Sequence, residues 1–147
     1  MFKKILYPTD FSDVSKKALN FITRLKEAGT EEVVLLHVID EREIESALQH
    51  SEGGLALGNE LEGLIEKNAQ EELKAVEDGL KQSGFGVKVR VEKGIPLREI
   101  LKVEEQEGAS LIVIGSHGKS NVAEMLLGSV SEKVVRKSKK PVLVIKR

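Results

Sequence analysis

The chain has 147 residues, 40% apolar and 32% charged, and its 23 lysines and arginines against 24 acidic residues leave a net charge of −1. That composition speaks against disorder and for one domain over residues 1–147 with a single sizeable core, and a near-neutral chain lacks the electrostatic footprint for gripping a phosphate backbone. With no cysteine and only 3% aromatics, disulfides, thiol catalysis, cysteine zinc sites and a stacking platform for single-stranded nucleic acid are set aside.

In chain order, the short apolar run 5–7 stops at Pro8, as a buried strand would. Ser12 can cap a helix starting at Asp13, whose apolar positions Val14, Ala18, Leu19, Phe21, Ile22 and Leu25 recur about once per turn and which Gly29 ends. The nearly unbroken apolar run 33–39 predicts a strand covered on both faces. Residues 41–49 form at most a turn or two of helix, with a mobile segment at 51–54. A longer helix opens near Asn59 and carries Leu61, Leu64, Ile65, Ala69, Leu73, Val76 and Leu80 on one stripe before Gly84. Val87, Val89 and Val91 alternate with charges, the pattern of a strand nearer an edge. Pro96 suits the first turn of a helix bearing Ile100, Leu101 and Val103 and closed by Gly108. The run 111–114 is another buried strand, a glycine-punctuated segment and a helix to about Ser138 follow, and Pro141 precedes a last strand, Val142 to Ile145. Strict alternation of helices with two-face-buried strands predicts an α/β, doubly wound parallel sheet with helices on both faces.

No apolar run approaches the roughly 20 residues that span a bilayer, and the N-terminus enters a strand-like run with neither an h-region nor a cleavage site. The expectation is a cytoplasmic protein with no membrane and no nucleic-acid partner.

In an open doubly wound sheet, ligands bind beyond the carboxyl ends of the strands. The most informative such place reads Gly115-Ser116-His117-Gly118, then nine residues, then Gly128-Ser129. Gly115 and Gly118 can adopt positive φ and let backbone approach an anion. Ser129 with Glu132 fits a capping box, and a helix start there would suit a phosphate. The plain alternative is that these glycines only turn the chain. Gly118-Lys119-Ser120 resembles the end of a P-loop, but the glycine such a loop requires five places before Gly118 is Val113; the dinucleotide fingerprint Gly-x-Gly-x-x-Gly is absent.

Asp10, just past the first strand, is either a ribose or metal ligand or a turn aspartate. Val38 falls where an adenine edge can meet backbone groups. His37 reads as a hydrogen-bonded core residue, His117 as a phosphate contact or an exposed turn residue, and His50 as part of a surface loop; no two histidines show metal-ligand spacing. Asp40, Glu41, Glu43 and Glu45 read as a solvated acidic stretch. The basic run at Arg136, Lys137, Lys139 and Lys140 reads as a complement to a helix dipole.

Tyr-Pro-Thr-Asp-Phe-Ser at 7–12, Leu-His-Val-Ile-Asp at 36–40, Gly-Ser-His-Gly at 115–118, Leu-Gly-Ser-Val-Ser at 127–131 and Lys-Pro-Val-Leu-Val at 140–144 together resemble the universal stress protein family over the whole chain. The spacing Gly-x2-Gly-x9-Gly-Ser is similar to the mark of its ATP-binding branch. The resemblance implies a Rossmann-like five-stranded sheet in order 3-2-1-4-5 and a homodimer joined through Val142 to Ile145. It implies that Asp10 binds ribose or adenine, Pro8 and Thr9 shape the pocket and Val38 meets adenine through its backbone. Gly115, Gly118, Gly128 and Ser129 would hold phosphates, with His117 a further candidate contact and Ile114 and Val130 lining the site. The implied cofactors are ATP and Mg²⁺ or Mn²⁺ carried chiefly on the phosphates. The expected role is a nucleotide-dependent regulatory module with an unknown protein partner. A slow ATPase and a nucleotide-independent interaction module are the alternatives.

Overall fold

The computed structural model describes residues 1–49, 54–117 and 127–147, with backbone alone for 54–57. His50, the segment 51–53, Gly118, Lys119 and Ser120 therefore lie outside the described residues.

Among the described residues the elements in chain order are β1 (Lys4–Pro8), α1 (Asp13–Leu25), β2 (Glu32–Asp40), α2 (Glu41–Gln49), α3 (Gly54–Gln82), β3 (Gly86–Gly94), α4 (Pro96–Glu107), β4 (Leu111–Gly115), α5 (Ser129–Lys137) and β5 (Val142–Ile145). The five strands form one sheet in the order β3-β2-β1-β4-β5, and every neighbouring pair is parallel. This is the order that the resemblance implied. It places β1 and β4 side by side where the winding reverses, so the crevice of such a fold lies past their carboxyl ends.

Strand side chains alternate between the two faces. Ile5, Tyr7, Val33, Leu35, Leu111 and Val113 pack with Ala18 and Ile22 of α1 and Leu73 and Leu80 of α3. Their neighbours Leu6, Val34, Leu36, Ile112 and Ile114 pack on the other face with Ile100 and Val103 of α4 and Val134 of α5. Two-sided burial explains the unbroken apolar runs. On the edge strand β3, Val87, Val89 and Val91 pack against the first of these cores, and the alternation read in the sequence follows from that one-sided contact.

Two helix boundaries differ from the expectation. α1 ends at Leu25, and a run of turns carries the chain to Gly29, whose φ is +99°. Phe21 is half turned to solvent beside Arg24, 6.0 Å from ring centroid to guanidinium carbon. α2 is a full helix, and α3 begins at Gly54 rather than near Asn59. Gly58 lies inside α3, where an added Cβ would come 3.0 Å from the Leu48 side chain of α2, so the missing side chain lets the two helices approach. Leu64, counted in the apolar stripe, is exposed.

At the amino end of the sheet, Glu107 of α4 gathers cations from two strands: Lys88 at 2.8 Å, Arg90 at 3.1 Å and Lys4 at 3.6 Å. The Glu107 side chain is only 7% exposed. The hydrogen bond from Lys88, with those cations around it, holds its carboxyl below the usual carboxylate range. A carboxylate whose folded pKa is lowered contributes stability above its unfolded pKa and loses it as pH falls through the folded value. Glu107→Gln is therefore expected to unfold at lower urea concentration than the wild type at neutral pH. Urea titrations across the acidic range should show that difference shrinking as the wild-type carboxylate protonates.

Candidate functional site

The first turn of α5 is held against the end of β4 by one carbonyl. The Ser116 oxygen accepts from the Gly128 N–H at 2.6 Å and from the Ser131 hydroxyl at 2.7 Å. Ser116 in turn donates its N–H to Ile145 of β5 at 2.8 Å. A glycine at 128 eases this close contact, because a Cβ would sit 3.2 Å from the Ser116 oxygen and 3.3 Å from the His117 Cα.

This arrangement corrects the expected capping box. Gly128 is the N-cap, Ser129 is the first helical residue, and no side chain caps the helix. The Glu132 N–H bonds the Gly128 carbonyl, and its carboxylate pairs with Arg136. The N–H groups of Ser129, Val130 and Ser131 have no carbonyl within the helix to receive them, and they carry the positive end of its dipole.

Gly115 is also corrected. It lies in extended backbone at the end of β4, in register with Ile145, and not at positive φ. A Cβ there would meet Val14 Cγ1 at 3.1 Å and the Ser15 nitrogen at 3.2 Å. Its side-chain space is occupied by the start of α1.

The turn from β1 into α1 is the second wall. The Ser12 hydroxyl accepts from the Ser15 N–H at 3.2 Å, the cap expected from sequence. Thr9 is buried and fully engaged: its hydroxyl accepts from the Phe11 N–H at 3.1 Å and the Ser15 hydroxyl at 2.7 Å, and its N–H donates to Leu36 at 2.8 Å. Beneath it the Tyr7 hydroxyl donates to the Ser15 carbonyl at 2.5 Å. Burial pushes the Tyr7 phenol above its ordinary pKa, so it stays a neutral donor. Asp10 fits the turn reading, since Oδ1 accepts from the Ser12 N–H at 3.0 Å, and the residue also lines the cleft. Phe11 has a φ of +64°, a conformation costing on the order of 1–3 kcal/mol in a bulky residue.

β2 runs past the end of β1. The last paired residues are Pro8 and Leu36, and the Leu36 carbonyl points toward β1 to receive Thr9. Two residues on, Val38 presents its backbone N–H and C=O on the same side. They open beyond β1 rather than onto it. Asp40 is not simply solvated: its side chain is 14% exposed and is clasped by Arg42 through Nε at 3.0 Å and Nη2 at 2.8 Å. The Arg42 hydrogen bonds lower the Asp40 pKa.

These walls enclose a cleft of about 570 Å³, within the range of small-molecule sites. Pro8, Thr9, Asp10, Val38, Ile114, Gly115, His117, Gly128, Ser129 and Val130 all line it. His117 is half-buried, with Nδ1 2.8 Å from the Ser116 hydroxyl. Several lining residues were not read from sequence. His37 was taken for core but is half-buried on the cleft, and Phe11 and Asp40 join it. So do Ile65, Asn68, Ala69 and Glu72, one face of α3. A polar residue interrupting an apolar run just before a strand's carboxyl end was the available signal for His37. The α3 face has helical spacing common to any amphipathic helix and carried none. Among the described residues, no three His, Cys, Asp or Glu side chains come together to hold a metal, and no helix is long and apolar enough to cross a membrane.

A whole-chain family match now joins this geometry: the universal stress protein family covers residues 1–146. The chain belongs to the universal stress protein family. It is 46% identical over 156 aligned residues to Universal stress protein MJ0577 of Methanocaldococcus jannaschii, across 100% of this chain and 96% of that one. The solved structure of MJ0577 matches with a TM-score of 0.90 at 47% identity, covering 100% and 97% of the two chains. More distant universal stress proteins share the fold. One was solved in complex with cAMP, at 24% identity and a TM-score of 0.62 over 99% of this chain and 97% of that one. Another, from Archaeoglobus fulgidus, was solved with dAMP, at 21% and 0.64 over 99% and 98%.

Gly115→Ala forces a methyl group against α1 backbone, which cannot swing aside as a side-chain tip can. It should destabilise the fold by about 1–3 kcal/mol, measured by urea unfolding followed by circular dichroism.

Proposed function

We propose that the cleft binds ATP and that the protein acts as a nucleotide-dependent regulatory module of the stress response. The observation that carries this reading is the meeting, in one cleft, of the unsatisfied first turn of α5 with the free backbone edge of Val38 and the carboxylate of Asp10. A helix start suits phosphate oxygens through its N–H groups and dipole. A strand edge with one donor and one acceptor suits the edge of adenine, and a carboxylate suits ribose hydroxyls. The adenine nucleotides held by the two more distant relatives accord with this assignment.

In this reading Ser129 and the N–H groups of Ser129, Val130 and Ser131 hold phosphates, with Gly128 admitting them and His117 beside them. Gly118, outside the described residues, is proposed for the same role from its motif position. Pro8, Thr9 and Ile114 shape the wall, and Asp10 receives the ribose. The divalent cation, Mg²⁺ or Mn²⁺, would arrive on the phosphates, because no described cluster of side chains offers it a cage. When bound it would supply charge neutralisation between phosphate oxygens; this chain supplies orientation.

We also propose that the protein is a homodimer through β5. Ile112 N–H donates to Pro141 and Ser116 N–H to Ile145, so the odd-numbered residues of β5 face β4. Val142 and Val144 therefore turn their backbone groups outward on an apolar edge, and Leu143 is 36% exposed. Val144→Pro removes an outward N–H and leaves the bonds to β4 in place. It should sediment as a folded monomer where the wild type sediments as a dimer; an unchanged dimer would reject the β5 interface.

Mass spectrometry of small molecules released on denaturation, with ATP calorimetry in Mg²⁺, tests the nucleotide reading. One adenine nucleotide per chain is expected, and an empty protein with no binding heat at several temperatures would overturn it. Ser129→Ala removes one hydrogen bond to a charged phosphate and should weaken ATP binding roughly tenfold to a hundredfold. Unchanged affinity would take the Ser129 hydroxyl out of the site.

A further inference from the structure

Phe11 is the one non-glycine residue with a left-handed backbone among the described residues, and it stands between the cleft carboxylate of Asp10 and the helix cap Ser12. Nothing intrinsic to a phenylalanine favours that conformation. A strained residue that persists is held by its surroundings, and such residues gather where a binding group has to be aimed.

The contacts that hold it are specific. Its N–H donates to the Thr9 hydroxyl, and the next N–H, that of Ser12, donates to Asp10 Oδ1. The Phe11 ring lies on the imidazole of His37 in β2, with centroids 4.5 Å apart and planes inclined by 27°. His37 is itself oriented by Nδ1, 2.8 Å from the Thr9 carbonyl. A carbonyl only accepts, so Nδ1 carries the proton. The turn after β1 is thus tied to β2 at Thr9, through its N–H to Leu36 and its carbonyl to His37, and at Phe11 through the ring stack. Asp10 is the single residue between those ties. A left-handed residue placed directly after it sends the chain sharply into α1 while the carboxylate stays at the cleft wall.

We infer that Phe11 and His37 are positioning residues, whose ring stack between the β1–α1 turn and β2 holds the Asp10 carboxylate toward the ribose of a nucleotide in the cleft. The inference rests on the nucleotide reading above and adds to it how the carboxylate is aimed. A glycine at 11 occupies the left-handed region freely. It keeps the turn and deletes the ring, together with that ring's packing against the first core, so thermal melts read the cost to folding and nucleotide titration reads the aiming.

The test is calorimetry with ATP and with 2′-deoxyATP in Mg²⁺, alongside thermal melts, on the wild type, Phe11→Gly, Phe11→Tyr, His37→Ala, Asp10→Ala and the double variant Phe11→Gly/Asp10→Ala. Phe11→Gly should melt somewhat below the wild type, because the ring also packs against the first core, and, where still folded, bind ATP about tenfold more weakly, the effect of one misaligned hydrogen bond to a charged group. Its preference for ATP over 2′-deoxyATP should shrink, and Phe11→Tyr, which keeps the ring, should restore both. In the Asp10→Ala background, Phe11→Gly should change nothing further, because its effect passes through that carboxylate. His37→Ala removes the stack from the other strand and should reproduce the loss, so the inference stays testable if a residue-11 variant does not fold. An unchanged ribose preference in Phe11→Gly or His37→Ala, or a full additional loss in the double variant, overturns the inference and leaves the nucleotide reading standing. A wild type that binds no ATP overturns both.

Discussion

The carbonyl of Ser116 is the point on which the cleft depends. It accepts two hydrogen bonds from the start of α5, while the N–H of the same residue is bonded to β5. One residue thereby fixes where β4 ends, where α5 begins and how β5 lies beside them. A helix start is useful to an anion only if it points at an open space. Here the direction is set by the short bond from Gly128, where a side chain would crowd Ser116 and His117. Both oxygen lone pairs being used, the anchor is saturated.

Against this fixed wall the opposite side of the cleft is built from small hydroxyls. Tyr7, Ser15 and Thr9 form a buried relay that satisfies every polar atom beneath the β1–α1 turn. No described buried side-chain nitrogen or oxygen is left without a partner. A buried polar network rigidifies its surroundings when it is fully satisfied and weakens them otherwise. The strain at Phe11 is tolerated in that setting: hydrogen bonds on both sides of it and a ring stack beside it offset the cost of an unfavourable backbone.

The two-sided burial and the position of the cleft were legible because they rest on periodicity and on one topological rule, whereas the sheet order came from the family resemblance alone. Strands 33–39 and 111–114 announce their burial on both faces, and the reversal of strand order then locates the crevice. Ser12 was legible as a cap because a serine before an acidic first turn has few other uses. Ser129 was misread for an instructive reason. A serine followed three residues later by a glutamate fits a capping box, yet the helix begins one residue earlier than that pattern implies, with Gly128 as its N-cap in close contact with Ser116. Gly115 likewise invites a conformational explanation, and the answer is packing against α1. Local sequence reports which residues tolerate a role; the distant segment that meets them decides it. Asn68 and Glu72 were out of reach, since only the tertiary placement of α3 makes them a wall.

The ion cluster at Glu107 sits at the end of the sheet away from the cleft. Lys4 opens β1 and Lys88 lies near the start of β3, whereas the cleft residues close β1, β2 and β4. What secures the sheet and what meets a ligand are therefore separated by the length of the strands, and substitutions at sites so far apart act nearly independently. Such a division makes the scaffold evolvable. The cleft can be rewritten for a different ligand, residue by residue, while the far end goes on holding the strands in register.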